Sequence, residues 1–286
     1  MSEERTAMIV AGGAGTRLAP LTDDVAKPLL PLVGVPFLEG LLGRLTRFGV
    51  SRVLVIAGAR TRPFDGLRTA ARSLGVDLEV VPEPEPLDTA GGVRQALDRV
   101  DAPFLVLNGD VLMDLDVDAL FAHHHDTAAM ATLALTRVED PSSFGVCVLD
   151  EGRIVDFVEK PAPGSLPGQD TVNAGAYILD PAALVPYSLG PLSFERQVFP
   201  ELVASGRRVM GWINHGVWAD LGTPRRYLDG HRLVLDGRVP WPTVAQGDDA
   251  SKPDRVTVDP SAELERVELR PPVWIGQGAQ IGAGSV

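Results

Sequence analysis

The chain has 286 residues, a formal net charge of −12 and a single cysteine, Cys147. This length suits one large domain with a small appendage, the acidity argues against broad nucleic-acid binding, which wants a basic face, and one cysteine excludes an intrachain disulfide and fits a reducing compartment. Residues 1–6 carry no apolar signal core and no stretch approaches the roughly 18 apolar residues of a membrane span, so no membrane association and a cytoplasmic location are expected.

Residues 8–11 form a short apolar run that reads as a buried strand. It breaks into Gly12, Gly13 and Gly15, with Arg17 at once beyond them and Lys27 held before Pro28. Glycines after a strand let a ligand approach the backbone closely and offer free N–H groups to an anion. With two cations beside them, they suggest a polyphosphate cradle. Neither common nucleotide fingerprint fits: Leu18 stands where the dinucleotide motif needs a third glycine, and no Gly-Lys-Ser/Thr follows.

Leu38, Leu41, Leu42, Leu45 and Phe48 recur at helical spacing over 36–48, with Gly49 as a stop. An apolar strand over 52–57 completes a βαβ beginning, which implies a parallel pair. Further strands are expected over 77–81 and 104–107, with a helix from Thr89 to residue 100 between them and a second helix capped by Asp116. Residues 130–138 read as a strand, 144–149 and 153–158 as a hairpin, and 172–179 as a strand. A helix over 194–204, strands over 208–213 and 217–220, and a helix opened by Pro224 follow. The fold class is therefore α/β, a Rossmann-like, mostly parallel sheet covered by helices.

Three domains are expected: 1–236 as the main domain, 237–256 as a linker with three prolines and a polar run, and 257–286 as a tail. In the tail Ile275-Gly276 recurs as Ile281-Gly282, and 258–262 resembles an earlier turn. Such six-residue repeats mark a parallel β-helix, here short and left-handed. A short coil leaves faces uncovered, so a homo-oligomer, a dimer, is expected.

Asp110 ends a buried strand, where open α/β sheets bind ligands; a carboxylate there either caps a turn or holds a divalent cation. Asp220 offers a second carboxylate before a glycine turn. Lys160, after Glu159, is by itself a solvated lysine. His123, His124 and His125 are neighbours on a helix, do not share one face, and read as a partly exposed surface. Cys147 reads as a small core residue.

The string Gly-Gly-x-Gly-Thr-Arg-Leu-x-Pro-Leu-Thr, followed by Lys-Pro-Leu-Leu-Pro-Leu, resembles the signature of the sugar-1-phosphate nucleotidylyltransferases. The resemblance runs from residue 8 to about 235 and into the tail. It implies transfer of a nucleotidyl group from a nucleoside triphosphate to a sugar 1-phosphate, with release of pyrophosphate. It assigns the nucleotide to Ala11, Gly12, Gly13, Gly15, Thr16, Arg17, Lys27 and Thr89. Magnesium goes to Asp110 and Asp220, which with Arg17 and Lys27 are the catalytic set. The sugar phosphate goes to Gly145, Glu159, Lys160 and Asn173. The Thr-Ala-Gly loop and the start of the tail most resemble mannose-1-phosphate guanylyltransferases, which points to GTP. Asp88 departs from a glycine frequent in this loop, leaving dTTP or UTP with glucose 1-phosphate as the alternative. A non-catalytic regulatory subunit would lack some of these charged groups, and an acyltransferase would need more complete coils.

Overall fold

The computed structural model describes residues 5–13, 15–58, 64–242 and 255–285. The chain starts with β1 (Arg5–Ala11), the short pair β2 (Pro31–Leu32) and β3 (Val35–Pro36), and α1 (Phe37–Leu45). It continues through β4 (Val50–Gly58), α2 (Asp65–Ser73), β5 (Asp77–Glu83), α3 (Asp88–Gln95), β6 (Phe104–Asn108), β7 (Val111–Met113), α4 (Val117–Asp126) and β8 (Ala131–Arg137). The hairpin β9 (Gly145–Asp150) and β10 (Arg153–Glu159) leads to β11 (Thr171–Leu179), α5 (Phe199–Ala204), β12 (Val209–Ile213), β13 (Trp218–Asp220) and α6 (Pro224–Leu235). Four short strands follow: β14 (Val256–Val258), β15 (Glu263–Leu264), β16 (Val273–Ile275) and β17 (Gln280–Ile281).

Nine strands form one sheet in the order β5-β4-β1-β6-β11-β8-β12-β10-β9. The first four are parallel, as helical crossovers require. The expectation of a mostly parallel sheet is corrected beyond them. β11 runs antiparallel between β6 and β8, and the hairpin adds further antiparallel pairs, leaving only β8–β12 parallel in that half. The sheet is mixed because β9, β10 and β11 follow one another by short connections that reverse the chain, not by crossover helices.

Alternate residues of the central strands feed opposite cores. Met8 packs with Leu54, Phe104, Tyr177 and Phe199 on one face, while Ile9 packs with Leu38, Leu42, Val53 and Leu120 on the other. A third cluster gathers Leu32, Phe37, Leu112, Leu221, Val234 and Trp241. Trp241 is buried, stacks on Phe37 at 5.8 Å and donates to the Leu32 carbonyl at 2.8 Å. With Val239 and Trp241 in the core, the expected linker over 237–256 does not begin at 237; its polar run at 246–252 lies outside the described residues.

Several helix ends follow their local chemistry. Asp116 accepts from the Ala119 N–H, Gly49 closes the turn after α1 at φ 70°, and Thr223 with Pro224 opens α6. Thr89 does not cap the helix predicted from 89 to 100. That helix starts at Asp88 and ends at Gln95, with a 3-10 turn over Leu97–Arg99, and the Asp88 carboxylate accepts from the Thr89 N–H at 2.8 Å. α2, with Leu67 and Ala71 buried, has no counterpart in the sequence reading. His124 is buried and bonded to Thr132 at 2.9 Å, so only part of the triple-histidine face meets solvent.

In the tail β14 pairs in parallel with β16, and β15 with β17, with Val256 opposite Val273 and Glu263 opposite Gln280. Trp274 seats this unit against the third cluster. A Cβ on Gly34, whose φ is +81°, would stand 2.2 Å from the Trp274 ring.

Candidate active site

Asp110 follows β6 directly, in the turn that leads into β7. β13 pairs antiparallel with β7, setting Asp220 opposite Val111, and the Leu221 N–H donates to the Asp110 carbonyl at 2.9 Å. The two aspartates therefore do not end parallel strands of one sheet. A separate two-stranded ribbon above the sheet edge brings them together.

Both carboxylates are held by cations. Lys27 Nζ is hydrogen-bonded to Asp110. Arg226 Nη1 donates to Asp220 Oδ2 at 2.6 Å. A Cβ on Gly222 would stand 2.6 Å from Asp220 Oδ1 and 2.9 Å from Arg17 Nη2, so both side chains border the space that Gly222 leaves open. Gly15 makes the Lys27 approach possible: its φ is +68°, and a Cβ there would lie 2.9 Å from Lys27 Cβ.

These groups border a cleft of about 730 Å³ at the C-terminal edge of the parallel strands. Of the residues expected from sequence, Arg17, Thr89, Asp110, Gly145, Glu159, Lys160, Asn173 and Asp220 line it. Lys27 stands behind Asp110. Ala11, Gly12, Gly13, Gly15 and Thr16 form the end of β1 and the following loop and do not line the cleft wall.

Glu159 pairs with Lys160 at 3.1 Å. A Cβ on Gly145 would meet Phe157 at 2.6 Å and Glu159 at 3.0 Å, so the hairpin needs glycine there to bring Glu159 across. The Asn173 amide donates to the Tyr177 hydroxyl, and its carbonyl accepts from the Gly175 N–H, both at 2.9 Å. The Thr89 hydroxyl donates to Glu195 at 2.6 Å and accepts from the Phe194 N–H at 2.9 Å, which ties the start of α3 to the segment before α5.

Cleft residues not singled out in the sequence include Trp218, Glu195, Arg196, Arg226 and Asn108. Arg226 sits three residues into α6, where helix periodicity gives a cation no distinguishing mark. Glu83 was also missed. It is 5% exposed at the end of β5 and fills the space between two glycines: a Cβ on Gly12 would fall 2.0 Å from its Oε2, and one on Gly92 2.3 Å from its Oε1. Oε1 has no hydrogen-bond partner among the described residues. Burial pushes the Glu83 carboxyl above its ordinary 4.5.

Two carboxylate oxygen donors, without sulfur or imidazole, match the preference of magnesium, which takes one or two carboxylates and completes its shell with phosphates and water. Among the described residues no cluster of three or more metal-ligating side chains exists. An all-protein cage is thus absent there, and a site shared with substrate phosphates suits the residues.

Residues 6–237 match the nucleotidyl transferase family. A mannose-1-phosphate guanylyltransferase of Mycobacterium tuberculosis is 34% identical over 283 residues, covering 98% of this chain and 77% of that protein. A probable mannose-1-phosphate guanylyltransferase 2 of Arabidopsis thaliana is 35% identical over 240 residues, 80% of this chain but 65% of that one. Among solved structures, HddC from Yersinia pseudotuberculosis complexed with GMP-PN superposes with a TM-score of 0.68 at 25% identity, covering 80% of this chain and 98% of HddC.

Proposed function

The chain belongs to the nucleotidyl transferase family, and from that premise we propose that it transfers guanylyl from GTP to mannose 1-phosphate, giving GDP-mannose and pyrophosphate. The observation that carries the reaction type is the convergence of Arg17, Asp110, Lys160 and Asp220 on one cleft, with Lys27 behind Asp110. A sugar 1-phosphate is already an anionic nucleophile, so no general base is needed. Its oxygen attacks the α-phosphorus, a P–O bond forms, and the bond to the departing pyrophosphate breaks. The protein's contribution is positioning and charge stabilisation. Arg17 and Lys27 hold the β- and γ-phosphates and the charge that builds on the leaving group. Lys160 holds the incoming phosphate, and Glu159 and Asn173 face the sugar hydroxyls. Magnesium would be held by Asp110 and Asp220, where it supplies Lewis-acid stabilisation of phosphate charge.

Glu83 favours guanine. Guanine presents two adjacent donors, N1–H and the N2 amino group, and a carboxylate accepts from both. Uracil and thymine offer a single donor flanked by acceptors. A buried carboxylate with no hydrogen bond from its side chain among the described residues, beside Gly12, is matched by the first pattern and opposed by the second. The full set of charged cleft groups favours an enzyme over a regulatory subunit that only binds nucleotide-sugar.

The tail fits a partial left-handed β-helix whose exposed Val256, Val258 and Leu264 cover a second copy in a homodimer. The lone buried Cys147 and phosphorylated substrates suit a cytoplasmic enzyme, and no helix among the described residues is long and apolar enough to cross a membrane. The deciding assay is pyrophosphate release from GTP, UTP and dTTP, each with mannose 1-phosphate and glucose 1-phosphate. GTP with mannose 1-phosphate is expected to give the highest kcat/KM. A tenfold preference for UTP or dTTP overturns the base assignment, and no release from any pair overturns the reaction.

A further inference from the structure

We propose that Arg226 is an exchangeable counter-ion: it neutralises Asp220 in the empty cleft and turns to the phosphate of the sugar 1-phosphate when a divalent cation takes Asp220. The inference rests on the reading of the cleft as a nucleotidyl-transfer site and adds a substrate-binding residue to it.

Arg226 Nη1 donates to Asp220 Oδ2 at 2.6 Å, and its guanidinium lies 5.4 Å from the Phe144 ring centroid. Phe144 is itself fixed edge-to-face against Trp218 at 5.3 Å. Guanidinium carries five N–H donors in a planar fork, and among the described residues this one forms no hydrogen bond besides that to Asp220. Stacking on an aromatic face leaves the edge of the fork free for a second acceptor. Arg226 is 39% exposed against 18% for Asp220, so the arginine can move while the carboxylate stays.

Phe144 places that edge on the sugar side. Its carbonyl accepts the Lys160 N–H at 3.0 Å, so Arg226 and Lys160 flank the same residue. Charge bookkeeping points the same way. Arg17 and Lys27 answer the triphosphate, whereas the sugar phosphate, a dianion, has Lys160, whose ammonium is shared with Glu159 at 3.1 Å, and the other cleft cation, Arg196, is paired with Asp88. A second cation is needed, and Arg226 stands at the right wall. Asp220 would hold a divalent cation through the carboxylate that Arg226 now engages at Oδ2, so Arg226 would be freed for the phosphate.

The two roles have opposite signatures when the guanidinium is removed. In Arg226→Gln the KM for sugar 1-phosphate is expected to rise about ten- to hundredfold, the range for losing a hydrogen bond to a charged group, with the KM for GTP within threefold of wild type. Arg226→Lys should recover part of that loss. Mn²⁺ titrated into the protein alone, followed by paramagnetic resonance, should bind Arg226→Gln at least as tightly as wild type, because its competitor has gone, while Asp220→Asn weakens it. Phe144→Leu keeps the charge but loses the stacking face, and should shift the same KM by less; it carries the test if Arg226→Gln does not fold. An unchanged KM for sugar phosphate, a shift that falls on GTP instead, or weaker Mn²⁺ binding in Arg226→Gln each overturns the proposal. Wild type that releases no pyrophosphate refutes the reaction instead, and the Mn²⁺ measurement still reports whether Arg226 competes for Asp220.

Discussion

Glu83→Gln separates function from stability in opposite directions. The substitution keeps the volume between Gly12 and Gly92 and replaces a carboxylate by an amide. Toward guanine, one acceptor survives and the other becomes an NH₂ donor facing a donor. Losing one charge-assisted hydrogen bond is worth about 1.5–3 kcal/mol, so kcat/KM for GTP should fall about 10- to 150-fold. UTP and dTTP, whose bases offer both a donor and an acceptor, should fall far less. Toward folding, the effect reverses. Burial raises the Glu83 carboxyl above 4.5, so the native state binds the proton more tightly than the unfolded chain. That contribution is present below the unfolded pKa and is lost as pH rises through the native one. Glu83→Gln removes the buried charge. Its melting temperature should gain on wild type as pH rises from about 4.5 through the native pKa and keep a constant lead above it, by about 2–4 °C for each kcal/mol relieved. The checks are steady-state kinetics with three triphosphates and thermal melts between pH 4 and 8. GTP kinetics within threefold of wild type, or a variant that melts lower at every pH, would refute the reasoning.

Asp110→Asn and Asp220→Asn should each lower the rate of pyrophosphate release by about 10²–10³, and the double variant should be scarcely worse than the poorer single, since both serve one ion; multiplicative losses would show that they act independently. His124, whose pKa burial lowers to about 4, stays neutral in the folded protein while the unfolded chain takes up a proton below 6.5. Stability should therefore be lost as pH falls from 6.5 toward 4, and His124→Gln should flatten that part of the melting profile; an unchanged slope would assign the loss to other groups. Gly34→Ala places a methyl 2.2 Å from the Trp274 ring at a left-handed φ, which should loosen the tail. Limited proteolysis should then degrade residues 255–285 faster than in wild type while the 6–237 domain stays intact, and equal rates would show that Trp274 does not anchor them.

Most of the parallel half of the sheet was legible because its strands are apolar runs with helical patterns between them, and the buried set over 53–57 could hardly read otherwise. The order of the other half was not. Nothing local in 172–179 says that β11 inserts between β6 and β8, since strand neighbours are chosen by long-range packing. β7 was hidden for a related reason: three residues are too few to show a period, and although a strand over 217–220 was legible, its pairing with β7 spans more than a hundred positions. In the cleft, residues next to glycines announced themselves, as Asp110 and Asp220 did. Arg226 and Glu195 did not, because a charged residue in the first turn of a helix is usually only solvated. Glu83 lay in a run of prolines and glutamates that reads as loop, and only the two glycines packed on it reveal the burial.

The place where the sheet changes direction, between β6 and β11, runs under the middle of the cleft. There Gly175, at φ +78°, lets the backbone pass within 2.7 Å, measured from its would-be Cβ, of the Asn108 amide. On one side stand the loop after β1, Glu83 and Asp110; on the other Gly145, Glu159, Lys160 and Asn173. The two halves meet along this joint and again where Thr89 bonds to Glu195 and the Phe194 N–H. On the proposed reading of the cleft, a graft carrying 145–179 from a relative with another sugar leaves the loop after β1, Glu83 and Asp110 in place, provided asparagine and glycine are retained at the joint. Variation in sugar and variation in base can then accumulate separately within a single scaffold.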